Sequence, residues 1–214
     1  MEDLVVNEIF HSIQGESSHT GRPCVFVRLT YCNLRCSYCD TEYAFEEGSR
    51  KSILEIIKEI GSFRCRLVEI TGGEPLVQEG SLDLMRRLCD SGYEVLLETG
   101  GSLDIGRVDR RVKRIVDFKC PGSGMAKKNL WSNVAHLRAG DEVKFVVRDR
   151  ADFEWALDRI EEFGIDRCSH ILFSPVFGVL EPVDLATWIL KSGITARLQL
   201  QMHKFIWEPS VRGV

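Results

Sequence analysis

The chain reads as an α/β protein folded into an incomplete (β/α) barrel, with parallel strands and few helices. Three observations predict this. Short β-rich runs alternate with amphipathic helical stretches along 214 residues, and most of the helical stretches stop at a glycine. The candidate strands number six or seven, too few for a closed eight-strand barrel of roughly 250 residues.

Candidate strands cover 24–29, 67–71, 93–98, 114–119, 142–147, 170–174 and 196–201. Between them, Ser52-Ile-Leu-Glu55 has the spacing of a capping box. Helices are predicted over 81–90 ending near Gly92, 151–163 ending at Gly164, and 182–191 ending near Gly193. Strands joined by such crossovers pair in parallel with right-handed connections, and ligands bind outside their carboxyl ends. The segments that follow the strands (30–41, 71–75, 98–101, 119–123, 174–177 and 201–203) are polar, glycine-rich or cysteine-bearing. They are expected to meet at one rim.

No repeat or low-complexity linker divides the sequence, so residues 1–214 are read as a single domain. An apolar content of 44%, with four Trp and eleven Phe, fills a sizeable core. The formal charge of -4 argues against nucleic acid or an anionic membrane as partner, since both need clustered positive charge. A small molecule is the expected partner. The start lacks a basic segment followed by an apolar one, and no apolar run approaches the roughly 20 residues needed to span a bilayer. A cytoplasmic protein is expected.

In a reducing compartment eight cysteines read as metal ligands or core residues rather than a disulfide framework. Cys24, Cys65, Cys89, Cys120 and Cys168 are scattered and read as small core hydrophobes. Cys32, Cys36 and Cys39 differ, lying C-x3-C-x2-C in Tyr31-Cys-Asn-Leu-Arg-Cys-Ser-Tyr-Cys-Asp-Thr41. Three close thiolates hold a 4Fe-4S cluster by three irons and leave the fourth open to a ligand. Thiolates also suit zinc, and spacing alone does not separate the two. A structural zinc would need a fourth protein ligand, for which Cys24 or His19 would have to serve. Further on, Thr71-Gly-Gly-Glu-Pro75 follows an apolar strand. Its glycines allow close backbone approach to a ligand, and Glu74 offers an acceptor for an ammonium.

Together these motifs resemble those of the radical S-adenosylmethionine enzymes. Phe10-His-Ser-Ile-Gln-Gly-Glu16, Gly21-Arg-Pro-Cys-Val-Phe-Val-Arg-Leu29, Cys39-Asp-Thr41, Leu97-Glu-Thr-Gly100, Lys119-Cys-Pro-Gly-Ser-Gly124 and the closing Arg212-Gly-Val214 narrow the resemblance. They look like the 7-carboxy-7-deazaguanine synthase family, over nearly the whole chain. One departure is Ser17, where that family more often has glycine.

The resemblance implies an incomplete TIM-like barrel of the radical SAM type, a 4Fe-4S cluster, S-adenosylmethionine and Mg2+. It implies ring contraction of 6-carboxy-5,6,7,8-tetrahydropterin to 7-carboxy-7-deazaguanine with loss of ammonia, in queuosine and other 7-deazapurine biosynthesis. The radical is carried by the cofactor, so no side chain is expected to act as catalyst.

By the same resemblance Cys32, Cys36 and Cys39 hold the cluster, and Thr41 the Mg2+. Gly72, Gly73 and Glu74 receive the methionyl amine, Tyr38 faces the adenine and Glu98 lies near the ribose. Cys39, Asp40, Lys119, Ser123, Ser174, Pro175, Val176 and Phe177 complete the cofactor contacts. Substrate falls to Ile13, Gln14, Gly15, Arg28, Thr71, His203 and Val214. The planar fork of Arg28 suits a carboxylate, although an arginine there also serves as a rim salt bridge. An electron donor such as flavodoxin or ferredoxin and a homodimer are further implied partners. A glycyl-radical-enzyme activase shares the cluster and Gly-Gly-Glu motifs, and a zinc-stabilised module without activity is the alternative from another class.

Overall fold

Leu4–Ile13 form β1, a strand that the sequence pattern does not predict, and it pairs antiparallel with β2 (Pro23–Leu29). The computed structural model describes residues 3–167 and 169–214, so Cys168 lies outside the described residues. A second unpredicted strand, β3 (Ser49–Lys51), adds antiparallel to β1. From β2 the sheet continues in parallel through β4 (Leu67–Gly72), β5 (Glu94–Thr99), β6 (Lys113–Asp117), β7 (Glu142–Val147), β8 (His170–Pro175) and β9 (Arg197–Leu198). The order is β3-β1-β2-β4-β5-β6-β7-β8-β9, an open sheet with β3 and β9 at its edges.

Helices α1 (Ile53–Ser62), α2 (Gly80–Asp90), α3 (Arg150–Phe163) and α4 (Pro182–Ser192) join the strands, and a short α5 (His203–Ile206) follows β9. Ser52 and Glu55 form the expected capping box of α1, while Gly164 and Gly193 take left-handed backbone at the ends of α3 and α4. The crossover between β6 and β7 is built from 3-10 turns alone.

Period-two alternation sorts the side chains of this sheet. Val25, Val27, Ile70, Leu97, Val116, Phe145 and Phe173 are buried in the main core. Phe26, Arg28, Glu69, Thr71, Glu98, Asp117, Lys144 and Ser174 point the other way, into the concave interior. Below them a small apolar floor of Cys24, Phe26, Leu67, Leu96 and Ile115 closes the interior. The sheet curls until its ends approach, but no ladder joins β1 to β9. The loop after β1 bridges the gap instead, with Ser17 N–H donating to Gln199 Oε1 at 2.7 Å and Ser18 N–H to Glu142 Oε1 at 3.0 Å. Ser17 has φ 63°, in the left-handed region that favours glycine.

Two corrections concern the last strand. The ladder covers Arg197–Leu198 rather than 196–201: Gln199 N–H still donates to Phe173 O at 2.8 Å, but the chain then turns away, Met202 N–H donating to Gly15 O at 3.0 Å, while the side chains of Gln199 and Gln201 donate to Glu16 at 2.9 and 3.0 Å. His203, expected directly after that strand, instead opens α5.

Two features hold the ends of the parallel strands. At the amino end, buried Arg114 is ion-paired with buried Asp141, which also accepts the backbone N–H groups of Arg114 at 3.1 Å and Arg138 at 2.8 Å. Asp141→Ala strands that guanidinium and is expected to cost about 3–5 kcal/mol in urea unfolding. At the carboxyl end, β4 runs into Gly72-Gly73 against the chain leaving β2. A Cβ on Gly72 would strike the backbone of Leu29, and one on Gly73 the carbonyl oxygen of Tyr31. Gly73→Ala is expected to destabilise by about 1–3 kcal/mol. Gly61→Ala, whose Cβ meets nothing nearer than Tyr93 Oη at 3.8 Å, gains about 0.5–1 kcal/mol in the same assay.

Candidate active site

The carboxyl ends of the strands surround a cavity of about 940 Å³. One wall is the cysteine loop. Tyr31 enters it with φ 77°, a left-handed conformation strained for a bulky residue, and its carbonyl accepts Glu74 N–H at 2.8 Å. That bond ties the cysteine loop to the Gly-Gly-Glu turn. Ser37 N–H donates to Ser123 O at 3.0 Å, and Tyr38 Oη donates to Val146 O at 3.1 Å, anchoring the same loop to the far side of the sheet.

Cys32, Cys36 and Cys39 all line the cavity, and burial raises each thiol above its ordinary range. Iron binding would draw off their protons. Neither proposed fourth zinc ligand is nearby. Cys24 is buried in the apolar floor, and His19 sits at the amino end of β5, 3.9 Å from Glu94. Among the described residues no three His, Cys, Asp or Glu side chains gather about a point where one metal ion would fit. Three thiols spread along one wall, with no protein ligand opposite them, suit a cubane cluster with one open iron.

Glu74 is fully buried, which raises its carboxyl above the usual range. Its oxygens accept Leu76 N–H at 3.1 Å, Thr99 Oγ1 at 2.8 and 2.9 Å, and Gly100 N–H at 2.7 Å. The carboxylate thus joins β4 to β5, and a ligand amine there would share an oxygen with Thr99 or Gly100. Lys119 reaches the cavity 2.8 Å from Asp117; burial opposes its charge, but Asp117 keeps the ammonium above its ordinary range.

The interior holds residues that the sequence analysis passed over. Lys144 is buried among three carboxylates, with Glu16 at 3.0 Å, Asp117 at 3.7 Å and Glu98 in close contact. Burial again opposes the charge, and the three acids override it. Glu16 is only partly buried, and Lys144 and Gln201 hold it low against its desolvation, whereas desolvation pushes Glu98 up. On β4, burial together with Glu98 and Glu16 pushes Glu69 well above the carboxylate range, and Gln14 Nε2 donates to it. Polar residues at alternate positions of otherwise apolar strands, in Leu67-Val-Glu-Ile-Thr71 and Glu142-Val-Lys-Phe145, and Asp117 closing the apolar pair Ile115-Val116, are the signal that marks them.

The remaining wall joins the two ends of the chain. Arg28 Nε donates to Glu8 at 2.7 Å, the guanidinium lies 5.8 Å from the ring centres of Phe10 and Tyr43, and its Nη atoms bond no other described residue. His203 packs over Gly15 so closely that a Cβ there would overlap the imidazole, and burial lowers the His203 pKa. Arg212 stacks 3.7 Å from the Tyr43 ring centre and pairs with Glu47 at 2.9 Å, laying the segment that ends at Val214 along the cavity mouth. Asp40 is half exposed; Lys204 at 2.7 Å outweighs its desolvation at the cavity wall and holds it low, and it accepts Thr41 Oγ1 at 2.9 Å.

Every residue that the resemblance assigns to cluster, cofactor, Mg2+ or substrate lines this one cavity except Ser123. That side chain turns back to donate to Cys120 O at 2.6 Å, and Ser123 supports Ser37 from behind the wall.

The Radical SAM superfamily pattern matches residues 27–178. A relative from Chlorobaculum tepidum, 7-carboxy-7-deazaguanine synthase, is 49% identical, the match covering 99% of this chain and 97% of the relative. The protein of that name from Koribacter versatilis is 46% identical, with 99% and 100% covered. Among solved structures, QueE from Escherichia coli superposes with a TM-score of 0.80 at 24% identity, covering 94% of this chain and 95% of that one, a likeness of fold. Streptococcus suis SuiB bound to S-adenosylmethionine gives a TM-score of 0.52 at 11% identity, covering 80% and 44%. With the cysteine loop, the Gly-Gly-Glu turn and the amino-terminal block all facing one cavity, the chain belongs to the 7-carboxy-7-deazaguanine synthase family of the radical SAM superfamily.

Proposed function

We propose that the chain converts 6-carboxy-5,6,7,8-tetrahydropterin to 7-carboxy-7-deazaguanine with loss of ammonia. The observation that carries this reading is the shared cavity, in which the cysteine loop faces Gln14, Arg28 and Thr71. Relatives bearing that enzyme's name along their whole length support it.

Cys32, Cys36 and Cys39 would hold the 4Fe-4S cluster, and Tyr38, Asp40, Gly72, Gly73, Glu74, Glu98, Lys119 and the 174–177 segment would bind S-adenosylmethionine, with Ser123 bracing the loop. When bound, the two together supply a 5'-deoxyadenosyl radical for hydrogen abstraction from the pterin. Arg28 keeps one edge of its guanidinium on Glu8 and presents the other to the substrate carboxylate. Ile13, Gln14 and Gly15 lie against the pterin edge, Thr71 touches the substrate, and His203 with Val214 closes over it and excludes water. The Thr41 hydroxyl, beside ionised Asp40, suits Mg2+, a hard cation that shares substrate oxygens and keeps waters.

The proposal includes a single 1–214 domain, a cytoplasmic homodimer and an acidic one-electron carrier such as flavodoxin or ferredoxin. Among the described residues no helix is long and apolar enough to cross a membrane. Exposed Lys127 and Lys128 follow the 121–123 turn that abuts Ser37, Arg148 abuts Gly122, and none of the three pairs with a described carboxylate. Such a basic rim beside the cluster loop favours an acidic donor.

Anaerobic incubation of reduced, iron-loaded protein with S-adenosylmethionine, Mg2+ and the tetrahydropterin should release ammonia and the deazaguanine without net loss of S-adenosylmethionine. An intact cluster that forms no product would defeat the reading. Arg28→Ala is expected to lower kcat/KM roughly 100-fold, the loss of charge-assisted bonds to a carboxylate. Thr41→Val should raise the Mg2+ concentration for half-maximal activity about 10-fold, while iron content per chain stays at the wild-type value.

A further inference from the structure

We propose that Glu69 is the specificity-determining acceptor of this site, taking in its carboxylate the paired N–H donors at the aminopyrimidinone end of the pterin. The inference rests on the proposed substrate and adds a residue that neither the motifs nor the relatives assign.

Glu69 is 3% exposed and lines the cavity. Its side chain receives one hydrogen bond from the described residues, from Gln14 Nε2, and has no cation within ion-pair reach. The nearest buried ammonium, Lys144, is occupied by Glu16, Glu98 and Asp117. A carboxylate accepts several donors, and a buried one with a single donor is left short. Gln14 is itself fixed, because its Oε1 accepts Glu16 N–H at 2.9 Å and so turns its Nε2 toward Glu69.

Register supplies the spacing. The ladder pairs Arg28 with Thr71 and Phe26 with Glu69, so Arg28 and Glu69 share the inner face, with Glu69 one layer deeper, about 6–7 Å along the strand. Phe10 and Phe26 stack at 5.0 Å on that face and both line the cavity. A bicycle with a carboxylate at one end and a guanidine-like edge at the other spans from Arg28 to Glu69 beside these rings, its carboxylate on Arg28. Its ring N3–H and 2-amino group then meet Glu69 as a bidentate pair, two donors that favour the ionised form and bring down on binding a carboxyl that burial holds high in the free protein. The 2-oxo counterpart, a tetrahydrolumazine, turns a carbonyl oxygen toward the same carboxylate and is rejected.

Glu69→Gln tests this, because an amide pairs well with an N–H beside a carbonyl. With iron-loaded protein and S-adenosylmethionine, the wild type should prefer 6-carboxytetrahydropterin over its 2-oxo counterpart by at least about 100-fold in kcat/KM. Glu69→Gln should lose about that factor on the pterin and bring the two substrates within about 10-fold of one another or invert their order. A role in stability alone would lower both substrates together, and a variant that keeps the wild-type preference overturns the proposal. Calorimetric binding of both compounds to wild-type protein decides the matter if the variant does not fold: equal affinities overturn the proposal, and a strong pterin preference supports it. Wild-type protein that binds neither compound overturns the substrate reading, and this inference with it.

Discussion

One buried ammonium keeps the interior of this sheet polar. Lys144 stands among Glu16, Glu98 and Asp117, which come from the loop after β1 and from β5 and β6. Removing Lys144 from such a group leaves its carboxylates uncompensated in a poorly solvated place. The arrangement links the amino-terminal loop, proposed to meet substrate, with the strands proposed to meet the cofactor. It also keeps the concave face from filling with side chains, as the interior of a closed barrel does. Apolar residues are confined to a thin floor, and the space above it remains a cavity.

Much of the parallel framework was legible, because buried parallel strands read as apolar runs and helix ends carry glycine or capping signals. The edge was not. β1 mixes Asn7, Glu8, His11 and Ser12 with apolar residues and breaks register between Val6 and Glu8, so no clean period survives. It is specified by its ladder with β2 rather than by its own pattern. β3 is too short to carry a period at all. The last strand looked longer than it is because Gln199 and Gln201 alternate as a strand would, although past Gln199 the backbone turns from β8 toward Gly15.

The site divides along the same line. Residues in compact motifs were found because the chemistry needs them close together in sequence. Glu69, Asp117 and Lys144 escaped because one or two polar residues in a short apolar strand read, strand by strand, as a solvated face. Only when several strands are aligned do these positions stack into one layer. Arg28 shows both readings at once: it is the rim ion pair that its place suggested, and it still has donors to spare.

The seam between β1 and β9 has a consequence for how this fold varies. Amide and carboxylate side chains span it, with the backbone of the loop after β1, and none of those bonds fixes a strand register. Residues gained or lost beside the seam therefore change the bore of the chamber without shifting any neighbouring ladder. A closed barrel has no such freedom, since its circumference is set by strand number and shear. Relatives can accordingly resize the opening by editing two loops, leaving the cysteine-bearing rim in place.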